Sequence, residues 1–330
     1  MKRILSLALN LALLFVLTAC AVENTEDRAG SSQTDAPEAG TAMLWNSSSF
    51  QLLPLGYGGQ VEAMAVNHGK LYAVGQKDVS LSLASIEYGL EGGEVTFEEA
   101  CPLPLPESIA QFRVSVLNCL GSKLYLLLSP PEEYGSPYAF YRLLIFSGDG
   151  SLEESMELDL GTDAFVRDIL VFPDESFCIV CADCLRIFEA DGTPHRVHVL
   201  RGELNQTFLL DGRLAVQSID SDSSIPQLSL ADEALQSFTP LELSSRLGPL
   251  VSCAGSLEGP AHLNTGAGVF ALSPDGAVSQ VFDWRELTGE YGYNYDQIVS
   301  LDENNYLLLE TGSGILSHLH IEQIPASAGS

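Results

Sequence analysis

The residues whose types and spacing come nearest to a familiar chemistry are Cys178, Cys181 and Cys184, set two residues apart. That is the spacing of an iron–sulfur or zinc run, but the fourth ligand such a cluster needs is replaced here by Phe188. The stretch Phe-Cys-Ile-Val-Cys-Ala-Asp-Cys-Leu-Arg-Ile-Phe reads as one extended strand, with Cys178 and Cys184 on one side and Cys181 on the other. Neighbouring thiols would then stand about 10 Å apart, too far for a disulfide. Buried strand thiols, or a bridge to Cys119 or Cys253, are favoured over a metal cluster. His195 with His198, and His318 with His320, have no carboxylate at a ligating offset and read as solvated hairpin histidines. Asp220-Ser221-Asp222-Ser223-Ser224 opens like a calcium loop, yet Ile225 stands where that loop needs glycine, and no glutamate follows at the loop's last position. G-x-S-x-G, H-E-x-x-H, P-loop and G-x-G-x-x-G motifs are all missing. The sequence therefore assigns no metal, no cofactor and no catalytic residue.

The elements that would position any site are easier to read. Of the 330 residues, 46% are hydrophobic and 18% charged, a composition that folds. Short runs of β-formers separated by turn residues recur to the end, without a sustained helical stripe. One kind of turn feeds a hydrophobic run: Asn67-His68-Gly69, Gly121-Ser122, Pro173-Asp174-Glu175, Asp211-Gly212, Leu257-Glu258-Gly259 and Asp302-Glu303-Asn304. A second kind falls between them: Gly92-Gly93, Asp149-Gly150, Asp191-Gly192, Asp232-Glu233 and Asp275-Gly276. From Asp149 onward the second kind repeats with a period of about 40–45 residues, the length of a four-stranded propeller blade. The first interval is longer and fits an insertion around Pro130–Gly135. The reading is all-β, a β-propeller of six four-stranded blades, with seven as the other count. An irregular β-sandwich or two smaller β domains is the competing architecture. A strand over Ser48–Leu55 is expected to complete the last blade and close the ring.

In a propeller the innermost strands line the central channel. Counting nine residues back from the first hydrophobic residue after each turn of the first kind gives Glu62, Ser115, Asp168, Asn205, Cys253 and Gln297. Gln60, Arg113, Arg167, Gln206 and Asp296 lie beside them. Polar side chains on a solvated channel wall are the plainer reading. The sharper one is a ligand-binding ring of Glu62, Ser115, Arg113, Arg167, Asp168, Asn205, Gln206, Asp296 and Gln297, in which the arginines hold an anion while amides and carboxylates contact hydroxyls. Tyr291, Tyr293 and Tyr295 alternate onto one face, either as a stacking rim or as packing between blades five and six. Tyr134, Tyr138 and Tyr141 form a second aromatic group with the same two readings.

The N-terminus gives an address. Lys2 and Arg3 precede an apolar run from Ile4 to Leu17, too short to span a bilayer permanently. It ends in Leu17-Thr18-Ala19-Cys20, which resembles the lipobox of bacterial lipoproteins and implies cleavage before Cys20 and lipidation of its thiol. The expected organisation is a signal peptide over 1–19, lipidated Cys20 and an acidic tether over 20–45, the propeller over 46–325 and a disordered tail over 326–330. The lipobox, the Leu-Ser-Pro-Asp-Gly-Ala-Val hairpin at 272–278 with Phe282-Asp283-Trp284 after it, and Asn-Asn-Tyr-Leu-Leu-Leu-Glu at 304–310 together resemble bacterial β-propeller lipoproteins. The closest likeness is the propeller-like region that precedes a solute-binding domain in some clostridial surface lipoproteins. No α/β binding domain follows here.

With 44 acidic against 15 basic residues, net −29, a nucleic-acid partner is excluded on electrostatic grounds. The same charge makes the acyl anchor, rather than attraction to anionic lipid, the link to the bilayer. The expected function is a lipid-anchored propeller outside the cytoplasmic membrane that binds a small ligand or a protein partner. A part in solute uptake is implied by the resemblance alone. The alternative is a hydrolase or lyase acting on extracellular carbohydrate, with Asp168 and Asp296 as candidate carboxylates; a purely structural propeller is the third reading.

Overall fold

The computed structural model describes residues 42–51, 60–67, 69–77, 80–131, 140–161, 165–199, 203–219, 226–232, 235–241, 247, 249–285, 295, 297–302, 304–310 and 315–324. The expected signal peptide, Cys20 and the tail at 326–330 lie outside them. Six antiparallel sheets follow one another along the chain. Blade 1 holds β2 (Gln60–Asn67), β3 (Lys70–Lys77), β4 (Ser80–Glu91) and β5 (Glu94–Phe97), with the short β6 (Cys101–Leu103) also paired to β4. Blade 2 holds β7 (Arg113–Leu120), β8 (Lys123–Ser129), β9 (Phe140–Phe146) and β10 (Leu152–Asp159). Blade 3 is β11 (Val166–Val171), β12 (Phe177–Cys181), β13 (Cys184–Phe188) and β14 (Pro194–Val199). Blade 4 is β15 (Glu203–Leu210), β16 (Arg213–Ile219), β17 (Pro226–Ala231) and β18 (Phe238–Pro240). Blade 5 is β19 (Leu250–Ala254), β20 (Ala261–Thr265), β21 (Gly268–Leu272) and β22 (Val278–Asp283). Blade 6 joins β23 (Gln297–Ser300), β24 (Asn305–Glu310) and β25 (Ile315–Ile324) to β1 (Ala42–Gln51).

Blade 6 is thus completed by a strand from the other end of the chain, as the missing outer strand requires. That strand begins at Ala42, inside the stretch read as tether, and overlaps the expected closing segment from Ser48 to Gln51. Residues 52–55 lie outside the described set.

The two kinds of turn occupy the places their chemistry suits. The first joins the inner strand of each blade to the second; the other joins third to fourth. In three of the latter the aspartate carboxylate accepts the backbone N–H two residues on: Ser151 to Asp149 at 2.9 Å, Thr193 to Asp191 at 2.9 Å and Ala277 to Asp275 at 3.1 Å. The glycine between, at φ 86°, 80° and 87° respectively, takes a left-handed conformation costly to other residues.

Second strands are sandwiched between neighbouring blades, which is why they read as continuous apolar runs. All five residues of β12 are buried, and five of the seven in β8. Outer strands face solvent, as in Leu-Glu-Glu-Ser-Met-Glu-Leu-Asp of β10. The core is consequently divided into six clusters, one at each interface between adjacent blades. The cluster joining blades 6 and 1 packs Leu307, Leu309 and Leu316 on Val61, Leu71 and Ile86, so the ring closes through side chains as well as through β1. Between blades 5 and 6 the fully buried Trp284 donates its indole N–H to Asn264 Oδ1 and the Thr265 carbonyl, each at 3.0 Å.

The cysteine run corrects the sequence reading. It is two strands, β12 and β13, folded at Ala182-Asp183, and this turn carries neither glycine nor proline to announce it. Cys181 and Cys184 share the face toward blade 2, while Cys178 packs toward blade 4. All six described cysteines are thiols.

Candidate functional site

The inner strands β2, β7, β11, β15, β19 and β23 surround a central cavity of about 480 Å³, to which every blade contributes. At five of them the ladder to the second strand slips by one residue near the start: between Val61 and Ala63, Val114 and Val116, Val166 and Asp168, Leu204 and Gln206, and Leu250 and Ser252. A bulge bends its strand and re-aims the side chains there. Residues in or just after these bulges (Glu62, Ser115, Arg167, Asp168, Gln206 and Ser252), with Gln297 of β23, form the polar end of the channel.

Of the residues expected in the ring, Glu62, Ser115, Arg167, Asp168, Gln206 and Gln297 line the cavity, as does Cys253. Asn205 does not; it borders a smaller space of about 140 Å³ together with Arg167, Asp168 and Thr207. Arg113 is exposed at the start of β7, outside the cavity wall. Asp296 lies outside the described residues.

Several of these side chains are tied to the neighbouring blade. Arg167 Nη1 donates to the Leu204 carbonyl at 2.6 Å, and Asn205 Nδ2 to the Leu250 carbonyl at 3.0 Å. Gln206 Nε2 donates to the Val251 carbonyl at 2.9 Å. Gln297 Oε1 accepts the Met64 N–H at 3.1 Å, linking blade 6 to blade 1. Gln217, buried behind Asn205, accepts the Leu250 N–H at 2.9 Å. The Arg167 guanidinium thereby spends one of its five N–H donors on backbone.

The carboxylates behave differently. Asp168 Oδ1 accepts the Ile169 N–H at 2.7 Å, and the hydroxyl of the buried Thr207 in blade 4 also bonds its carboxylate. Both favour the ionised form, yet burial outweighs them and pushes the carboxyl up to about 7. Glu62 is raised by the same cause, with the Arg113 charge offsetting part of the effect. Burial, and then the charge of Asp168, raises the Cys253 thiol, so that cysteine stays protonated and unreactive. The polar end thus holds two desolvated carboxylates, amides and hydroxyls. It can donate and accept hydrogen bonds to a polar ligand and exchange a proton near neutral pH.

Thr207, Ser252 and Asn118 were missed by the sequence count. Thr207 and Ser252 follow bulges and line the cavity. Asn118 Nδ2 donates to the Ile169 carbonyl at 2.6 Å, tying blade 2 to blade 3. Counting back from a turn assumes an unbroken ladder, and the bulges break it.

The aromatic and histidine groups separate. Tyr295 stacks on Trp284 with centroids 5.4 Å apart, which is packing between blades 5 and 6; Tyr291 and Tyr293 lie outside the described residues. Tyr141 is buried between blades 2 and 3, and Tyr134 and Tyr138 are likewise outside. His318 is not a solvated hairpin residue: it is 2% exposed and shares Asn305 Oδ1 with His320, at 3.0 and 2.9 Å. His195 pairs with Glu189 at 2.7 Å, and His198 packs on Phe238. The Asp220–Ser224 loop lies outside the described residues. Among the described residues no three His, Cys, Asp or Glu side chains converge as a metal site would need.

The fold and the channel define a six-bladed β-propeller with a polar channel mouth. No family model and no curated protein matches the sequence. Among solved structures, it is similar to a protein of unknown function from Bacteroides thetaiotaomicron, with TM-score 0.53 and 11% identity over 85% of this chain and 77% of that one. It is also similar to XC5397 of Xanthomonas campestris, described as a gluconolactonase, with TM-score 0.50 and 14% identity over 84% and 90% of the two chains. A protein of unknown function from Bacteroides caccae matches with TM-score 0.49 and 11% identity over 74% and 87%. At these identities the likeness is one of fold alone.

Proposed function

We propose that this protein is a lipid-anchored propeller, held outside a bacterial cytoplasmic membrane by acylated Cys20, whose channel mouth binds a small polar ligand. The observation that carries the reading is the cavity of about 480 Å³, polar at one end, into which all six blades project. Small-ligand sites commonly occupy roughly 300–1,000 Å³ and fix their ligand with a few converging polar groups. Glu62, Ser115, Asp168 and Gln206 are such groups here. A place in solute uptake would suit a binder at that address.

A thermal-shift screen of the chain from Ala21 onward against sugars, peptides, amines and divalent ions tests the binding. The expected result is stabilisation by one class, lost on Glu62→Gln or Gln206→Ala. No stabilisation by any class counts against a small ligand and leaves a protein partner as the reading. Anchoring is tested separately: Cys20→Ala should release the protein from the membrane fraction and abolish incorporation of labelled fatty acid.

One observation favours a second reading. Asp168, with its carboxyl near 7, shares the cavity with Glu62, as an acid and a base in hydrolysis or elimination would. Turnover of a carbohydrate or lactone, lost in Asp168→Asn with binding retained, would establish it.

A further inference from the structure

The tip of the β12–β13 hairpin takes no part in the channel wall, yet it gathers two thiols and a guanidinium. The ladder pairs Ile179 with Arg186 and Val180 with Leu185. One step further, Cys181 stands opposite Cys184 across the turn Ala182-Asp183. Directly opposed residues of an antiparallel pair have Cα atoms about 4.5–5.5 Å apart, within the roughly 4.4–6.8 Å that a disulfide spans. Both side chains lie on the face toward blade 2, in the cluster with Ile179 and Phe188, and are 1% and 5% exposed. The two thiols are near enough to influence each other's ionisation, and the Arg186 charge acts on both. Arg186 Nε is buried and has no acceptor. The remaining described cysteines are separated from this pair: Cys178 faces blade 4, and Cys101, Cys119 and Cys253 belong to other blades.

We propose that Cys181 and Cys184 are a redox pair that closes into a disulfide across the hairpin tip when the chain meets an external small-molecule or protein disulfide. Cys184, the less buried thiol, gives up its proton and attacks one sulfur of the external disulfide, expelling one thiolate and forming a mixed disulfide. Cys181 then gives up its proton and attacks the Cys184 sulfur, expelling the second thiolate. Two protein thiols have lost two protons and two electrons, and the external disulfide has become two thiols. Arg186 favours the attacking thiolates by its charge, while at Cys184 the neighbouring Asp183 carboxylate opposes it. Burial works against them, raising both thiols and pushing Cys181 up to about 12. Closure is therefore fast while the hairpin is still open during folding and slow once blades 2 and 3 have packed. The turn itself is anchored to the inner strand's approach, because the Ala182 N–H is held by the Phe165 carbonyl at 3.0 Å.

The test is to refold the full chain from urea in oxidised glutathione, alkylate remaining thiols with iodoacetamide under denaturing conditions, and map the peptides by mass spectrometry. The peptide spanning the three cysteines should be lighter by two hydrogens and alkylated once, at Cys178. Its fragments should place the bond between Cys181 and Cys184. Cys178→Ser should give the same bond, and the native, already packed chain should form it far more slowly than the refolding one. Three alkylated cysteines in the refolded wild type, or a bond that includes Cys178, Cys119 or Cys253, would overturn the proposal.

Discussion

Arg167 reaches out of blade 3 and donates from Nη1 to the Leu204 carbonyl of blade 4 at 2.6 Å. Asn205 repeats the gesture one blade on, toward Leu250 at 3.0 Å. Both residues sit in the bulge of their inner strand, and both acceptors precede the bulge of the next. The polar groups that a sequence count assigns to a ligand therefore serve in part as struts between blades. Bulges make this feasible, because an extra residue turns a side chain sideways along the ring.

Replacing Arg167 by methionine should accordingly act on stability first. Loss of one charge-assisted bond at a partly solvated site is expected to cost about 1 kcal/mol. Urea denaturation would detect this as a lower midpoint at unchanged slope, and any ligand found in the screen should still bind. If stability holds while binding is lost, Arg167 is a ligand contact.

Asp168 links the channel to pH. Its folded carboxyl, at about 7, lies above the unfolded value near 3.9, so the folded state binds the extra proton between them. The associated stability is complete below about pH 4 and is lost as pH rises through 7, by a few kcal/mol in total. Asp168→Asn keeps an oxygen for the Ile169 N–H but has no charge to desolvate. It should match wild type near pH 4 and exceed it at pH 8, as measured by thermal unfolding across that range. A variant that is less stable than wild type at pH 8 would show that the ionised carboxylate is held by more than Ile169 and Thr207.

The repeat was legible because each Asp-Gly turn carries its own chemistry: a carboxylate that closes the turn and a glycine that takes the left-handed residue, as at Asp149-Gly150 and Asp275-Gly276. The Ala182-Asp183 hairpin has no such residue, so its two strands read as one. Site positions were legible only where the count survived the bulge. Glu62 and Ser115 sit in bulges and reach the cavity, whereas Asn205 occupies the same place and turns toward blade 5. His318 looked solvated because alternation does not reveal that Asn305, on the neighbouring strand, buries a partner for it.

Ring closure by β1 predicts a strong effect of truncation. A chain beginning at Gln60 lacks the strand that pairs with β25 and leaves that strand as an open edge. Exposed edges recruit other chains. Size-exclusion chromatography should show dimers or larger assemblies, and the thermal transition should broaden and fall. Supplying residues 42–51 as a separate peptide should restore the monomer. A monomeric truncated chain with an unchanged transition would mean that the interface of Leu307, Leu309 and Leu316 with blade 1 suffices to close the ring.

Asn264 is a fully buried polar residue away from the channel wall. Its side chain accepts the Trp284 indole N–H at 3.0 Å and donates to Ser252 Oγ at 3.1 Å and to the Tyr295 carbonyl at 3.4 Å. It therefore joins the inner strand of blade 5 to the chain entering blade 6. Alanine there leaves a cavity, strips Ser252 and the Tyr295 carbonyl of a donor, and leaves the indole only the Thr265 carbonyl. The expected loss is about 2–4 kcal/mol. Asn264→Asp should be worse than alanine at pH 8 and recover as the pH falls, because the new carboxylate would be buried without a counter-charge. Tryptophan fluorescence during urea denaturation reads both effects, since Trp284 is the reporter in the affected cluster. A wild-type midpoint for Asn264→Ala would show that the Trp284 and Tyr295 stack holds blades 5 and 6 together without this amide.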